Sequence, residues 1–75
     1  MPKIPRIPSS LVIGALKRAR FYIHHQTGSH IQLRHSDNLK LRVTIPFHKK
    51  DLTPKTIKSI IQQAGLTVEE FLDLI

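Results

Sequence analysis

Between Phe21 and Ile45 the chain alternates apolar and polar residues with a period of two. The pattern predicts three short strands, Phe21–Gln26, Ser29–His35 and Leu39–Ile45, because successive strand side chains point to opposite faces. Thr27-Gly28 turns the first pair and Ser36-Asp37-Asn38 the second, using residues that tolerate tight backbone. In the third strand Leu41, Val43 and Ile45 face one way, and Lys40, Arg42 and Thr44 the other. The second sorts likewise, with Ile31 and Leu33 opposite His30, Gln32 and Arg34. One face of the predicted sheet is therefore apolar and needs a cover, while the other gathers an imidazole among cationic and amide groups.

The flanks switch to a helical period. Ser9 or Ser10 can cap a helix over Leu11–Ala19, with Val12, Ala15, Leu16 and Ala19 as its apolar stripe. Gly14 weakens that helix unless a neighbouring backbone packs closely there. Pro46 stops the sheet and 47–52 forms a loop. Thr53 then caps a second helix with Pro54 at its first position, where the missing N–H is harmless. Its buried face reads Ile57, Ile60, Ile61 and Ala64, its wet face Lys55 and Lys58, and Gly65 is placed as a left-handed terminator. Thr67-Val68-Glu69-Glu70 is a capping box opening a last short helix with Phe71, Leu72, Leu74 and Ile75 as apolar points. The order α-β-β-β-α-(α), with helices on one face of a three-stranded antiparallel sheet, is an α+β two-layer sandwich. A single domain over residues 1–75 is expected, with the proline-rich residues 1–8 as an extended lead-in laid along it.

Composition narrows the function. Without cysteine there is no disulfide framework and no thiolate metal site. No apolar run reaches the length of a membrane span and the first residues lack a signal peptide's apolar core, so a cytoplasmic location is expected. Net charge is +7 and the pI about 10.4. Residues 1–68 hold all 12 lysines and arginines against only Asp37 and Asp51, while Glu69, Glu70 and Asp73 crowd the tail. A polyanion is the leading partner class, since phosphate contacts release counterions. The plainer alternative is a surplus that only keeps the protein in solution.

Three blocks then carry a resemblance: Gly28-Ser29-His30 after a hairpin turn, Val43-Thr44-Ile45-Pro46-x-His48, and Ile60-x-x-x-Ala64-Gly65-Leu66-Thr67-x-Glu69-Glu70-Phe71. In this order and spacing, from about Ser10 to Leu74, the chain resembles the HicA toxin family. The resemblance implies a fold similar to double-stranded-RNA-binding domains and activity as a ribosome-independent mRNA interferase. It also implies neutralisation by a HicB antitoxin, and it places the catalytic histidine at His30. One position departs: where the family usually has glycine before the first strand's aromatic, this chain has Arg20. A left-handed backbone there costs a non-glycine residue roughly 1–2 kcal/mol.

Imidazole is the natural proton carrier near neutral pH. Cutting RNA needs a base for the 2′-hydroxyl or an acid for the 5′-oxygen, plus positive charge on the crowded phosphate. His30 is the expected proton-transfer residue, with Gly28 giving room for the phosphodiester and Ser29 orienting the ring or donating to phosphate. Arg34, Lys40 and Arg42 are candidate RNA contacts on or beside its face. His48, Lys49 and Lys50, in a loop before a helix N-terminus, are further candidates. The alternatives are a surface histidine with no task, a turn glycine and a solvated loop. By parity His24 and His25 point to opposite faces and His35 opposes His30. No three ligands converge for zinc, so neither a metal nor another cofactor is expected. Tyr22 could stack on a base, whereas Phe21 reads as core.

Two rival functions fit part of the pattern. A basic α+β domain can hold RNA by its phosphates without cutting it, and only a nuclease shortens labelled RNA. Residues 54–75 also have a helix-turn-helix rhythm, but the would-be recognition helix carries Glu69, Glu70 and Asp73, which phosphates repel. DNA reading is rejected on that ground. The expected partners are thus mRNA and an acidic HicB-like antitoxin laid across the basic face. A milder possibility is that the acidic tail folds over that face itself.

Overall fold

The computed structural model describes residues 3–75. The elements run α1 (Ser9–Arg18), β1 (Phe21–Thr27), β2 (His30–His35), β3 (Arg42–Pro46), α2 (Pro54–Gln63) and α3 (Val68–Leu74). The strands pair antiparallel in the order β1-β2-β3. One face carries Ile31, Leu33, Val43 and Ile45, all buried in one core with Val12 and Leu16 of α1, Ile57, Ile60 and Ile61 of α2, and Phe71 of α3. Period-two and period-3.6 apolar positions thus meet in one interior, giving the α+β two-layer sandwich that the alternation predicts. The lead-in, from its first described residue, follows the domain: Ile4 and Ile7 pack on the core, and Leu52 N–H donates to Ile7 O at 2.8 Å. Met1 and Pro2 of the expected lead-in lie outside the described residues.

Helix ends follow local chemistry. Thr53 Oγ1 accepts from Thr56 N–H to open α2, with Pro54 in its first turn. The helix closes on Gly65, whose φ is 72°. The capping box of α3 is complete, Thr67 Oγ1 accepting from Glu70 N–H (3.1 Å) and Glu70 Oε1 from Thr67 N–H (2.8 Å). At the end of α1 the left-handed position falls to Arg20, with φ 74°. Its guanidinium grips Asp37 through Nε–Oδ2 at 2.7 Å and Nη2–Oδ1 at 2.9 Å, and its carbonyl accepts from Ser36 N–H at 2.9 Å. The strained residue is held by the loop it faces.

Several boundaries differ from the sequence reading. Helix α1 begins at Ser9 and not Leu11; Pro8 occupies the cap position and no side chain caps it. Gly14 has no close neighbour: a Cβ there would meet only Arg18 Nη1 at 3.7 Å. The hairpin loop is Gly28-Ser29, between paired Thr27 and His30, in place of Thr27-Gly28. Strand β3 starts at Arg42, because the preceding turn closes on itself. Asn38 Oδ1 accepts from Lys40 N–H, Asn38 O accepts from Leu41 N–H, and Leu39 is left exposed. Pro46 ends β3 from inside the strand, opposite His30. A bulge between Ile23 and His25 breaks the alternation of β1.

Helix α3 packs against α1 and α2, and Arg18 Nη1 donates to Leu74 O at 2.8 Å. The tail is therefore docked in the helical layer, and a tail folded over the sheet's basic face is not what the structure shows. No helix is long and apolar enough to cross a membrane among the described residues.

Candidate active site

Cross-strand pairing arranges the uncovered sheet face in three rows: Thr27–His30–Pro46, His25–Gln32–Thr44 and Tyr22–Arg34–Arg42. The hairpin loop delivers His30 to the first residue of β2, at the sheet's end, where it is exposed. Ser29 Oγ lies 3.1 Å from His30 Nδ1, so the neighbouring hydroxyl steadies the ring. The hydroxyl serves as acceptor when Nδ1 carries the proton and as donor when it does not.

His30 forms one wall of a groove of about 370 Å³, together with Thr44 and Pro46. The other wall is α2, through Lys55, Thr56, Ser59 and Gln63. Lys55, Ser59 and Gln63 are spaced by four and so lie on one helix stripe. Gln63 Oε1 accepts from Thr44 N–H at 3.0 Å, and Gln63 Nε2 donates to Ser59 Oγ at 3.3 Å. The amide thereby covers the edge of β3 and sets the groove's floor. From the sequence, Lys55 is legible only as part of the wet face of α2. The i, i+4, i+8 polar stripe was the available signal, but nothing in it says which strand it faces.

A second hollow of about 200 Å³ adjoins the first across Thr44 and is lined by Gln32, Arg34 and Arg42. Arg34 and Arg42 are directly opposite one another. Like charges so placed repel, and neither forms an ion pair among the described residues. An anion laid on this face relieves that repulsion. The expectation that both share the face of His30 holds, yet four residues of strand separate Arg34 from it, about 13 Å. The cation across the groove from His30 is Lys55.

The remaining candidates divide. A Cβ built on Gly28 meets nothing within 4 Å, and its φ lies outside the left-handed region, so the turn does not demand glycine. A side chain there would project into open space. Lys40 and Lys50 are exposed and line neither hollow. His48 and Lys49 face the first turn of α1, with Pro8, Ser9, Ser10 and Phe47, instead of the α2 N-terminus that their place in the sequence suggests. That terminus is occupied by Thr53.

The other histidines have plainer settings. His35 Nδ1 accepts from Asp37 N–H (3.0 Å) and Asn38 N–H (3.1 Å), and its ring meets Phe21 edge-on at 5.0 Å. It anchors the turn before β3. His25 pairs with Gln32 after the bulge, which moves it to the face of His30, and both His24 and His25 are exposed. Strict alternation from Phe21 would have put His25 on the helical side. Among the described residues no three of His, Cys, Asp and Glu are grouped to hold a metal ion.

Comparison with curated proteins gives no match. The family model described as HicA toxin of bacterial toxin–antitoxin systems matches residues 9–66, from the first turn of α1 through the turn after α2. That span includes both hollows, the Gly28-Ser29-His30 loop and every element except α3. The chain therefore belongs to the HicA toxin family of bacterial toxin–antitoxin systems, whose toxins pair with an antitoxin.

Proposed function

We propose that the chain is an endoribonuclease that cuts mRNA, with His30 as its proton-transfer residue. The observation that carries this is the placement of an exposed His30, steadied by Ser29, across a groove from Lys55 and on one face with Arg34 and Arg42. With its proton on Nδ1 and directed to Ser29 Oγ, the ring presents a free Nε2 lone pair. Nε2 takes the proton of a ribose 2′-hydroxyl, O2′ attacks phosphorus, and the bond to O5′ breaks as O5′ takes a proton from water, which the exposed site admits. The products are a 2′,3′-cyclic phosphate and a 5′-hydroxyl. Lys55 offsets charge on the phosphate at the groove, while Arg34 and Arg42 hold a phosphate farther along the strand. Lys40 and Lys50 add a sequence-independent pull from the rim.

The antitoxin that suits this face is an acidic, HicB-like protein covering the groove and the arginine hollow together. The place of action follows the substrate, so the cytoplasm is proposed. The experiment is incubation of purified chain with end-labelled RNA in the presence of a chelator. Shortened products with cyclic phosphate ends are expected, and a single 2′-deoxy substitution at the cut site should block cleavage. RNA retained but never shortened would establish a binding module in place of a nuclease.

A further inference from the structure

We infer that the cavity between the first turn of α1 and the loop after β3 is a subsite for one unpaired nucleotide of the RNA, next to the cut site. The inference rests on the ribonuclease reading and names how that substrate is held. The cavity has a volume of about 370 Å³ and is lined by Pro8, Ser9, Ser10, Phe47, His48 and Lys49. Its lining suits a nucleotide, with an aromatic ring beside hydrogen-bond donors and the Lys49 ammonium.

Phe47 is 42% exposed although large and apolar. Exposed aromatics on a basic surface are stacking platforms for bases, and each stack is sequence-tolerant because every base has a π-face. The donor side is independent of it. Leu11 N–H and Val12 N–H donate to Pro8 O, but Ser9 N–H and Ser10 N–H have no partner among the described residues, since no side chain caps this helix. Ser9 itself is only 3% exposed, and its hydroxyl also makes no hydrogen bond among the described residues. No fully buried side-chain polar atom is left unpaired among the described residues, so the Ser9 hydroxyl keeps some access to solvent. Ser9, Ser10 and Lys49 thus line one hollow with the ring at the uncapped start of α1, and a phosphate there would meet hydrogen-bond donors and a cation together.

Position ties the cavity to the cut site. Phe47 N–H donates to Ser29 O at 2.8 Å, and the preceding Pro46 pairs with His30. Cross-strand and sequential Cα spacings put Phe47 within about 10 Å of His30. Adjacent nucleotides of one strand can therefore occupy the groove and this cavity. A base stacked on Phe47 has to be unpaired, so the subsite favours single-stranded RNA over a duplex.

The test uses the full chain carrying His30→Ala, which binds RNA without consuming it. The protein has no tryptophan, so Phe47→Trp in that background is a unique reporter. Its fluorescence should be quenched by a short single-stranded RNA and not by the same RNA made abasic. Phe47→Ala should weaken binding about tenfold, and Lys49→Gln should reduce the salt slope of binding by about one. RNA binding with unchanged indole fluorescence, or equal affinity of Phe47→Ala and its parent, would overturn the subsite while leaving the ribonuclease reading intact. Absence of any RNA binding by the His30→Ala chain would overturn both.

Discussion

Arg20 gives the sharpest test of how the scaffold is held. Its φ of 74° is a glycine conformation, and a side chain there costs about 1–2 kcal/mol. The bidentate contact with Asp37 returns part of that. Both side chains are more than half exposed, at 66% and 56%, so the pair is worth only about 0.2–1 kcal/mol. The two effects separate in a double-mutant cycle. On an Asp37→Ala background, where the pair is already gone, Arg20→Gly should stabilise by about 1 kcal/mol, raising the melting midpoint by about 4–8 °C. In the native background the gain should be smaller by the coupling energy, and 0.5 M salt should narrow the difference between backgrounds. Urea unfolding of the four proteins, followed by circular dichroism, supplies each free energy. Destabilisation by Arg20→Gly on the Asp37→Ala background would refute the idea that the end of α1 is strained.

Other positions yield simpler outcomes. Gly14→Ala should stabilise by about 0.8–1 kcal/mol, since the new methyl has room and a helix interior favours alanine; an unchanged urea midpoint would contradict this. Gly28→Ala should leave stability within about 0.5 kcal/mol, since the new methyl meets nothing, yet slow RNA cleavage at least tenfold if the phosphodiester reaches His30 over that residue. A large loss of stability without a catalytic defect would return that glycine to a turn role. Lys55→Gln should lower kcat/KM on RNA about 10- to 100-fold with an unaltered urea midpoint, and Lys55→Arg should recover part of it.

What could be read from the chain, and what could not, divides along local and tertiary lines. Thr53-Pro54, Gly65 and Thr67-x-x-Glu70 mark helix ends because their partners lie within four residues. The alternation of Ile31, Leu33, Val43 and Ile45 fixes which sheet face is covered, and with it the face of His30, Arg34 and Arg42. The bulge at His24 inserts one unpaired residue with no glycine to announce it, so parity fails along the rest of β1. Leu39 and Leu41 extend an apolar alternation into a turn whose closure comes from the Asn38 side chain and the His35 ring. Around the site, the sequence supplies His30 and its hairpin but not its opposite wall. Lys55 reaches the groove because Ile57, Ile60 and Ile61 seat α2 on the core and Gln63 ties it to the edge of β3. Chain order puts His48 and Lys49 beside α2, whereas folding brings them to the start of α1, about 40 residues away.

The most direct measurement is single-turnover cleavage of a labelled RNA by the native chain and by His30→Ala, with circular dichroism confirming equal folding. If His30 moves the proton, the rate should fall by about 10²–10⁴-fold while RNA affinity stays within a few-fold. A His30→Ala protein that cuts RNA at the native rate would contradict the mechanism.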